Sequence, residues 1–420
     1  MIVPRLFACS LASLVLWSSG TAGETWDQWR GPDRSGRWSG PLPTSLDGLT
    51  VAWEKPLGPS YSGPVTDGET VYTTETVDRS FERVVAFDLA TGAKKWGAKL
   101  GGTIRIPGYA AANGPWIKAT PAVGEGMLVA LGMRDELFCI DAATGAERWS
   151  VDLADRFGSR RPNFGAVSSP LIDGGAVYVM GGGATLKLSL ADGATLWRTL
   201  DDEGDDDDAL SSPVLATLGG MRQLVVQTRT RLCGVDPADG RVLWTEKIKA
   251  QRNSNVLTPT VLPPAEGDEA GRDRVFTASR GGGSRCFAVA KNDSGKWSSE
   301  EVWADRTQAY MATPVTDGET LFLHTTNDRL TALDAATGEV LWVSPPAGDY
   351  QTFILGGDAE GAPVLLALNS AGELTALKPD RDARTVLSRR KVAEDSWAHL
   401  GAFDGGLLVR DLNALKVYRY

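Results

Sequence analysis

AFDLATGAKKW, running from Ala86 to Trp96, returns as CIDAATGAERW ending at Trp149, LSLADGATLW at Trp197, GVDPADGRVLW at Trp244 and ALDAATGEVLW at Trp342. In every copy a glycine (Gly92, Gly145, Gly193, Gly240, Gly338) stands four residues before the tryptophan. An aspartate (Asp88, Asp141, Asp236, Asp334) stands four before the glycine, except where Ser189 replaces it. A register this strict, recurring roughly every 50 residues, marks one supersecondary unit used repeatedly in a ring or a stack.

The unit reads as a hairpin. The apolar run Val84-Val85-Ala86-Phe87 enters Asp88, whose carboxylate can accept N–H groups in the turn that follows, and Gly92 supplies a positive-φ residue for a bulged turn. The chain returns as a strand carrying Trp96. A lone antiparallel sheet of this kind leaves apolar faces open. Identical neighbours must cover it, with the indole filling the wedge between sheets. These features predict an all-β β-propeller of four-stranded antiparallel blades.

The blades are counted by a second landmark. Ser62-Gly63-Pro64, Ala119-Thr120-Pro121, Ser168-Ser169-Pro170, Ser211-Ser212-Pro213, Leu257-Thr258-Pro259 and Ala312-Thr313-Pro314 each precede an apolar run, and proline suits the start of a strand at a crowded axis. Six steps pair with six turns if Asp293-Ser294-Gly295-Lys296-Trp297 serves the fifth blade. A seventh unit runs from Thr352 to Val386, and an eighth starts near His399 and stops at Tyr420 one strand short. Val51-Ala-Trp53-Glu-Lys-Pro-Leu57 supplies the missing outer strand, so eight blades closed by N- and C-terminal strands are expected, with seven as the rival count. Residues 51–420 form a single domain in this reading, and 24–50 precede it as an N-terminal extension.

Residues 1–23 have the layout of a secretory signal: Arg5, an apolar run from Leu11 to Trp17, then small residues, with cleavage expected near Ala22 or Gly23. This places the mature chain in the periplasm or outside the cell. Cys9 precedes the apolar run, the wrong side for a lipid-attachment cysteine. No later stretch is long and apolar enough to span a bilayer. Cys139, Cys233 and Cys286 lie in different repeats and read as buried small hydrophobes.

The formal charge of −10 and the lack of a basic stripe interleaved with aromatics argue against nucleic acid. The acidic run from Asp201 to Asp208 falls in an inter-blade loop, where it reads as a solvated segment; it lacks the spacing of a preformed calcium loop. With only His324 and His399, and no Gly-x-Ser-x-Gly, His-Glu-x-x-His or Cys-x-x-Cys, catalytic and metal constellations are scarce. Gly181-Gly-Gly183 and Gly281-Gly-Gly283 read as hairpin turns.

The Asp-x-x-Thr-Gly-x-x-x-Trp copies resemble the tryptophan-docking repeat of the pyrroloquinoline-quinone-type propellers, which include quinoprotein alcohol and glucose dehydrogenases and the non-enzymatic lipoprotein BamB. Trp26-Asp-Gln-Trp29-Arg30-Gly31-Pro32-Asp33-Arg34-Ser-Gly36 is similar to the opening of short secreted propellers of planctomycete-type bacteria. The resemblance runs from Trp26 to Tyr420. It implies either a non-catalytic extracytoplasmic binding scaffold or an oxidoreductase holding PQQ and calcium in the axial funnel. The adjacent cysteines that many of those enzymes place over the quinone have no counterpart here, so no cofactor and no metal are expected.

A partner site is expected on the loops that join one blade's outer strand to the next blade's inner strand. They carry Arg105, Tyr109 and Trp116; Arg160, Arg161, Asn163 and Phe164; Arg252 and Asn253; Arg306 and Tyr310. Arginine and aromatic side chains dominate interface energetics. The expected partner is a protein or peptide bound by a monomer, with a carbohydrate-binding or lyase role on the same aromatics as an outside reading.

Overall fold

The computed structural model describes residues 25–108, 114–202 and 210–420, apart from the side chain of Asn253; the signal-like segment, Tyr109 and residues 203–208 of the acidic run lie outside the described residues. The strands form eight sheets around a central axis, which settles the count at eight blades. Blades 1 to 6 span residues 65–102, 122–152, 171–199, 214–247, 260–305 and 315–346. Blade 7 spans 351–391, and blade 8 combines 401–419 with 50–56.

The turn motif folds as its residues dictate. Asp88 accepts the Thr91 N–H at 2.9 Å and the Thr91 hydroxyl at 2.7 Å, while the Gly92 N–H donates to the Asp88 carbonyl at 2.8 Å with φ at +67°. The ladder then slips by one residue between Ala86 and Phe87, which turns the tryptophan side chain towards the neighbouring blade.

The motif indoles other than Trp244 dock on the turn of the next blade. Trp96 Nε1 donates to the Ala142 carbonyl at 3.0 Å, Trp149 to Leu190 at 2.8 Å, Trp197 to Pro237 at 3.1 Å and Trp342 to Asp380 at 2.8 Å. The ring lies against the motif glycine of that next turn: Gly145 meets Trp96, Gly193 meets Trp149 and Gly240 meets Trp197. Glycine and tryptophan of one motif therefore serve two different interfaces.

Blade 5 departs from the expected pattern. Its docking indole is Trp303, which donates to Ala335 at 3.2 Å and faces Gly338, whereas Trp297 turns back onto Gly219 of blade 4. The cause is the long outer strand Trp297–Asp305, which starts at Trp297 and carries Trp303 to the docking level. Trp244, lacking a standard turn to dock on, donates instead to Gln223 Oε1 of its own blade at 2.8 Å.

The ring closes as the sequence implies. Strand Thr50–Pro56 pairs antiparallel with Ala414–Arg419, opposing Trp53 to Val417, and Trp53 Nε1 donates to Leu89 of blade 1 at 2.9 Å. The glycine triplets are second-to-third-strand turns, between Ala176–Gly181 and Ala184–Ser189 and between Arg274–Ser279 and Gly283–Lys291. Cys139, Cys233 and Cys286 are all buried.

Residues 25–49 are no loose tail. Blade 7 carries a fifth, innermost strand, Arg37–Pro41, running parallel to Gln351–Gly357. Ahead of it Trp26 and Asp27 offer their carbonyls to the N–H groups of Thr66 and Val123, both at 2.8 Å, on the inner strands of blades 1 and 2. The chain thus runs along the axis, reverses near Gly31 to Gly36 and returns beside blade 7. Trp38, Leu42, Leu46 and Leu49 then wedge into the core between blades 7 and 8.

The axial mouth and its loop rim as candidate functional site

The small-residue-proline steps form a girdle at the mouth surrounded by the inter-blade loops. The middle residue of each of the first five steps donates its N–H to the hydroxyl of the next: Gly63 to Thr120 at 2.9 Å, Thr120 to Ser169 at 3.0 Å, Ser169 to Ser212 at 2.9 Å, Ser212 to Thr258 at 3.1 Å and Thr258 to Thr313 at 3.2 Å. Serine or threonine in the middle of the step is thereby explained; the proline alone did not reveal it. These bonds use the outward groups and leave carbonyls converging on the axis.

Two buried arginines of the N-terminal segment take up those carbonyls. Arg34 donates to Ser169 and Pro213, both at 2.9 Å, and to Pro170, with Nε on Gln28 Oε1 at 3.0 Å. Arg30 donates to Thr313 at 2.7 Å, Pro314 at 2.5 Å and Ser35 at 2.7 Å. Enclosure pushes both guanidinium groups down, Arg34 to about 9 and Arg30 to about 10. Among the described residues no carboxylate bonds to either, and their donors go to backbone carbonyls and, for Arg34, to the Gln28 side-chain amide.

At blades 7 and 8 the girdle gives way to aromatics. His399, which lies just ahead of the inner strand and not within one, is held by Thr352 Oγ1 at 3.0 Å and Tyr350 Oη at 3.1 Å, with Trp29 edge-on at 5.0 Å. Enclosure, aided by the Arg30 charge, pushes its imidazole down to about 3, so it is neutral at pH 7. Trp397 stacks on Tyr350 at 5.8 Å and meets Tyr61 at 5.5 Å. His324 is buried in blade 6 with Nε2 on the Gly348 carbonyl at 2.6 Å, far from any triad geometry.

The rim residues fall into two groups. Between blades 1 and 3, Arg105, Arg161 and Asn163 line one cleft of about 530 Å³. Arg161 is committed to its own loop, paired with Asp152 at 2.6 Å and Asp155 at 3.0 Å and bonded to the Arg134 carbonyl at 2.6 Å. Arg160 is exposed and Phe164 half-buried beside it. Trp116 lies in a separate groove of about 560 Å³ under the Arg79 guanidinium, 5.2 Å away. Across the ring stand Arg252 and Arg306, both exposed, and Tyr310, which lies 5.7 Å from the Arg280 guanidinium. Of the acidic run, Asp201 pairs with Arg198 at 2.6 Å and Asp202 with Arg231.

Sequence reasoning passed over one buried ionisable pair. Glu82, fully enclosed between blades 1 and 2, accepts the Met133 N–H at 2.9 Å through one oxygen and has no hydrogen-bond partner for the other. Burial pushes this carboxyl up to about 8 and the nearby Lys118 ammonium down to about 8. Isolated polar residues within apolar strands carry no periodic signal that would have exposed them.

The fit to PQQ with calcium is poor on this donor set. Among the described residues no group of three or more His, Cys, Asp or Glu side chains comes together in a metal-holding arrangement. Two guanidinium groups and the chain's own strand occupy the axis where an axial cofactor would sit.

The fold is shared with solved propellers of both kinds. BamB from Moraxella catarrhalis is 18% identical with a TM-score of 0.61, over 89% of this chain and 100% of that one. Quinohemoprotein alcohol dehydrogenase from Comamonas testosteroni is 12% identical with a TM-score of 0.66, over 94% of this chain and 80% of the enzyme. The quinohemoprotein alcohol dehydrogenase ADHIIG from Pseudomonas putida HK5 is 13% identical with a TM-score of 0.67, over 94% and 80%. At such identities the likeness speaks for fold alone. No curated protein matches the sequence. The pattern of the family described as outer membrane protein assembly factor BamB matches residues 80–344, well over half of the chain, and the chain belongs to that family.

Proposed function

We propose that this propeller is a non-catalytic, extracytoplasmic scaffold that binds a protein or peptide partner on its inter-blade loop face as a monomer, without a cofactor. The observation that carries the reading is the axis. Arg30 and Arg34 spend their donors on the girdle carbonyls of blades 3, 4 and 6, so the funnel is filled by protein and recognition falls to the surrounding loops. Those loops present arginines and aromatics in shallow, open clefts, a shape suited to a polypeptide and not to a sequestered small substrate. The family membership is compatible with protein partners, and the seat outside the cytoplasm follows from the signal-like start.

The second reading is a PQQ-dependent oxidoreductase or a quinone binder in the funnel, favoured by the shared fold of the quinohemoprotein dehydrogenases. The purified protein incubated with PQQ and calcium, then desalted, separates the two. The scaffold reading expects no retained quinone absorbance and no alcohol-dependent dye reduction, together with specific retention of a partner from a periplasmic fraction. Stoichiometric quinone with dye-linked alcohol oxidation would establish the enzyme instead.

A further inference from the structure

We infer that the sector of the loop face over blades 4, 5 and 6 is a docking site for an acidic polypeptide segment; this rests on the scaffold reading above. Five cations meet there from two kinds of loop. Lys249, Arg252 and Arg306 come from the inter-blade loops, and Arg229 and Arg280 from the second-to-third-strand turns of blades 4 and 5.

The backbone ties them into one surface. Arg229 donates to the Arg252 carbonyl at 3.3 Å, and the Gln251 N–H donates to the Arg280 carbonyl at 2.7 Å. Ser279 donates its hydroxyl to the Lys249 carbonyl at 2.6 Å. The Gly281 N–H reaches Gln308 Oε1 at 2.7 Å, which joins the Arg280 turn to the loop of Arg306 and Tyr310. Arg280 lies over the Tyr310 ring at 5.7 Å.

None of the five forms an ion pair with a carboxylate among the described residues. Elsewhere on the propeller many surface arginines are paired with a carboxylate: Arg83 with Glu75 at 2.6 Å, Arg148 with Asp141 at 2.6 Å, Arg222 with Asp173 at 2.6 Å and Arg272 with Glu300 at 2.8 Å. Lys249, Arg252, Arg280 and Arg306 are exposed, and Arg252 adopts φ of +56°, a left-handed backbone that a non-glycine residue holds at a cost. In a chain of net charge −10 such a concentration of unmatched positive charge is locally selective for negative charge.

The chemistry of the occupant follows from number and type. Cations spread over three blades exceed what one small anion can satisfy, and a guanidinium fork matches a carboxylate through two donors. Nucleic acid, whose charge is far denser, would be repelled by the acidic remainder of the molecule. A flexible chain carrying several aspartates or glutamates, with an apolar or aromatic side chain to lie on Tyr310, answers all of these features.

The test uses the full mature protein and a fluorescein-labelled decapeptide of alternating Asp and Glu, read by anisotropy at low and physiological salt. The inference expects saturable binding that weakens with salt. The triple variant R252E/R280E/R306E should weaken it at least tenfold at unchanged melting temperature. A control variant K94E/K247E/R389E reverses the same number of charges on outer strands and should change it less than threefold. Equal loss in both variants would mean net charge alone is felt, and no loss in the first, or no peptide binding to the wild type, would also overturn this sector as the site. Retention of a periplasmic partner by the triple variant at wild-type level would leave the scaffold reading standing while removing this site. Competition by inorganic phosphate at micromolar concentration would overturn the polypeptide in favour of a small anion.

Discussion

The six-membered ring of Trp149 lies so close to Gly193 of the following blade that a Cβ built at 193 would stand 2.8 Å from its Cε3. The same glycine needs its φ of +69° to close the turn. Two requirements, one conformational and one steric, therefore fall on one atom's absence. Gly193→Ala should cost about 2–3 kcal/mol, the left-handed penalty of about 1 kcal/mol plus the displaced indole. A denaturant titration should show a lower midpoint with an unchanged slope. Trp244→Ala, whose indole is more deeply buried, should exceed Trp149→Ala, at about 3–5 kcal/mol against about 2–3.

The repeat made this much of the fold legible in advance, because turn chemistry and indole size act locally and leave a periodic trace. Blade count and strand closure followed from the missing strand at the C-terminus and Trp53 at the other end. The axial segment was not legible. Arg30 and Arg34 sit near Gly31 and Pro32 in a stretch without periodicity, and their partners lie up to 284 residues away. The girdle hydroxyls were visible only as small residues beside proline. Trp297 misled because it follows a turn glycine, but only two residues after Gly295 and not four, and the longer strand carries Trp303 to the docking level instead.

Arg34→Met should test the axial pin. The substitution retains much of the side chain's length but leaves the carbonyls of Ser169, Pro170 and Pro213 without their donors. An unmet buried acceptor costs about 1–3 kcal/mol, so a loss of about 3 kcal/mol is expected, read as a fall in melting temperature. Retained stability would show that water replaces the guanidinium and that the pin is dispensable.

Stability should respond to pH with two opposed signs. His399, held down at about 3 when folded, binds fewer protons folded than unfolded, so its contribution is lost as pH falls from about 6.5 towards 3. Glu82, held up at about 8, binds more protons folded than unfolded, so its contribution is lost as pH rises from about 4.5 through 8. Glu82→Gln keeps the shape and removes the titration. Melting curves across pH should show a flatter neutral-to-alkaline limb in this variant, with the acid limb unaltered; an identical alkaline limb would show that Glu82 does not control it.

Removing residues through Leu57 should collapse the ring and not trim it. Such a chain loses the outer strand of blade 8, the Trp53 dock on Leu89 and the axial pin together. Blade 8 would then present an unpaired edge beside blade 1. Circular dichroism melting of the truncated chain should show a much lower or absent cooperative transition. A transition at the mature protein's temperature would show that blades 1 to 7 hold themselves.

Arg105 and Arg161 line one cleft yet should behave oppositely on truncation to alanine. Arg161 is fixed by Asp152, Asp155 and the Arg134 carbonyl, and its removal unties the short helix Leu153–Phe157 from the neighbouring turn. Arg161→Ala should therefore lose about 1–2 kcal/mol of stability and affect partner retention only through the loop's order. Arg105 is exposed, so Arg105→Ala should leave the melting temperature unchanged. If the loop face over blades 1 to 3 also contacts the partner, that variant weakens retention, and more at low salt than at high, because an exposed charge acts across water and is screened. Retention unaffected by Arg105→Ala but lost in R252E/R280E/R306E would confine recognition to blades 4 to 6, leaving the cleft beside Arg105 outside the recognition surface.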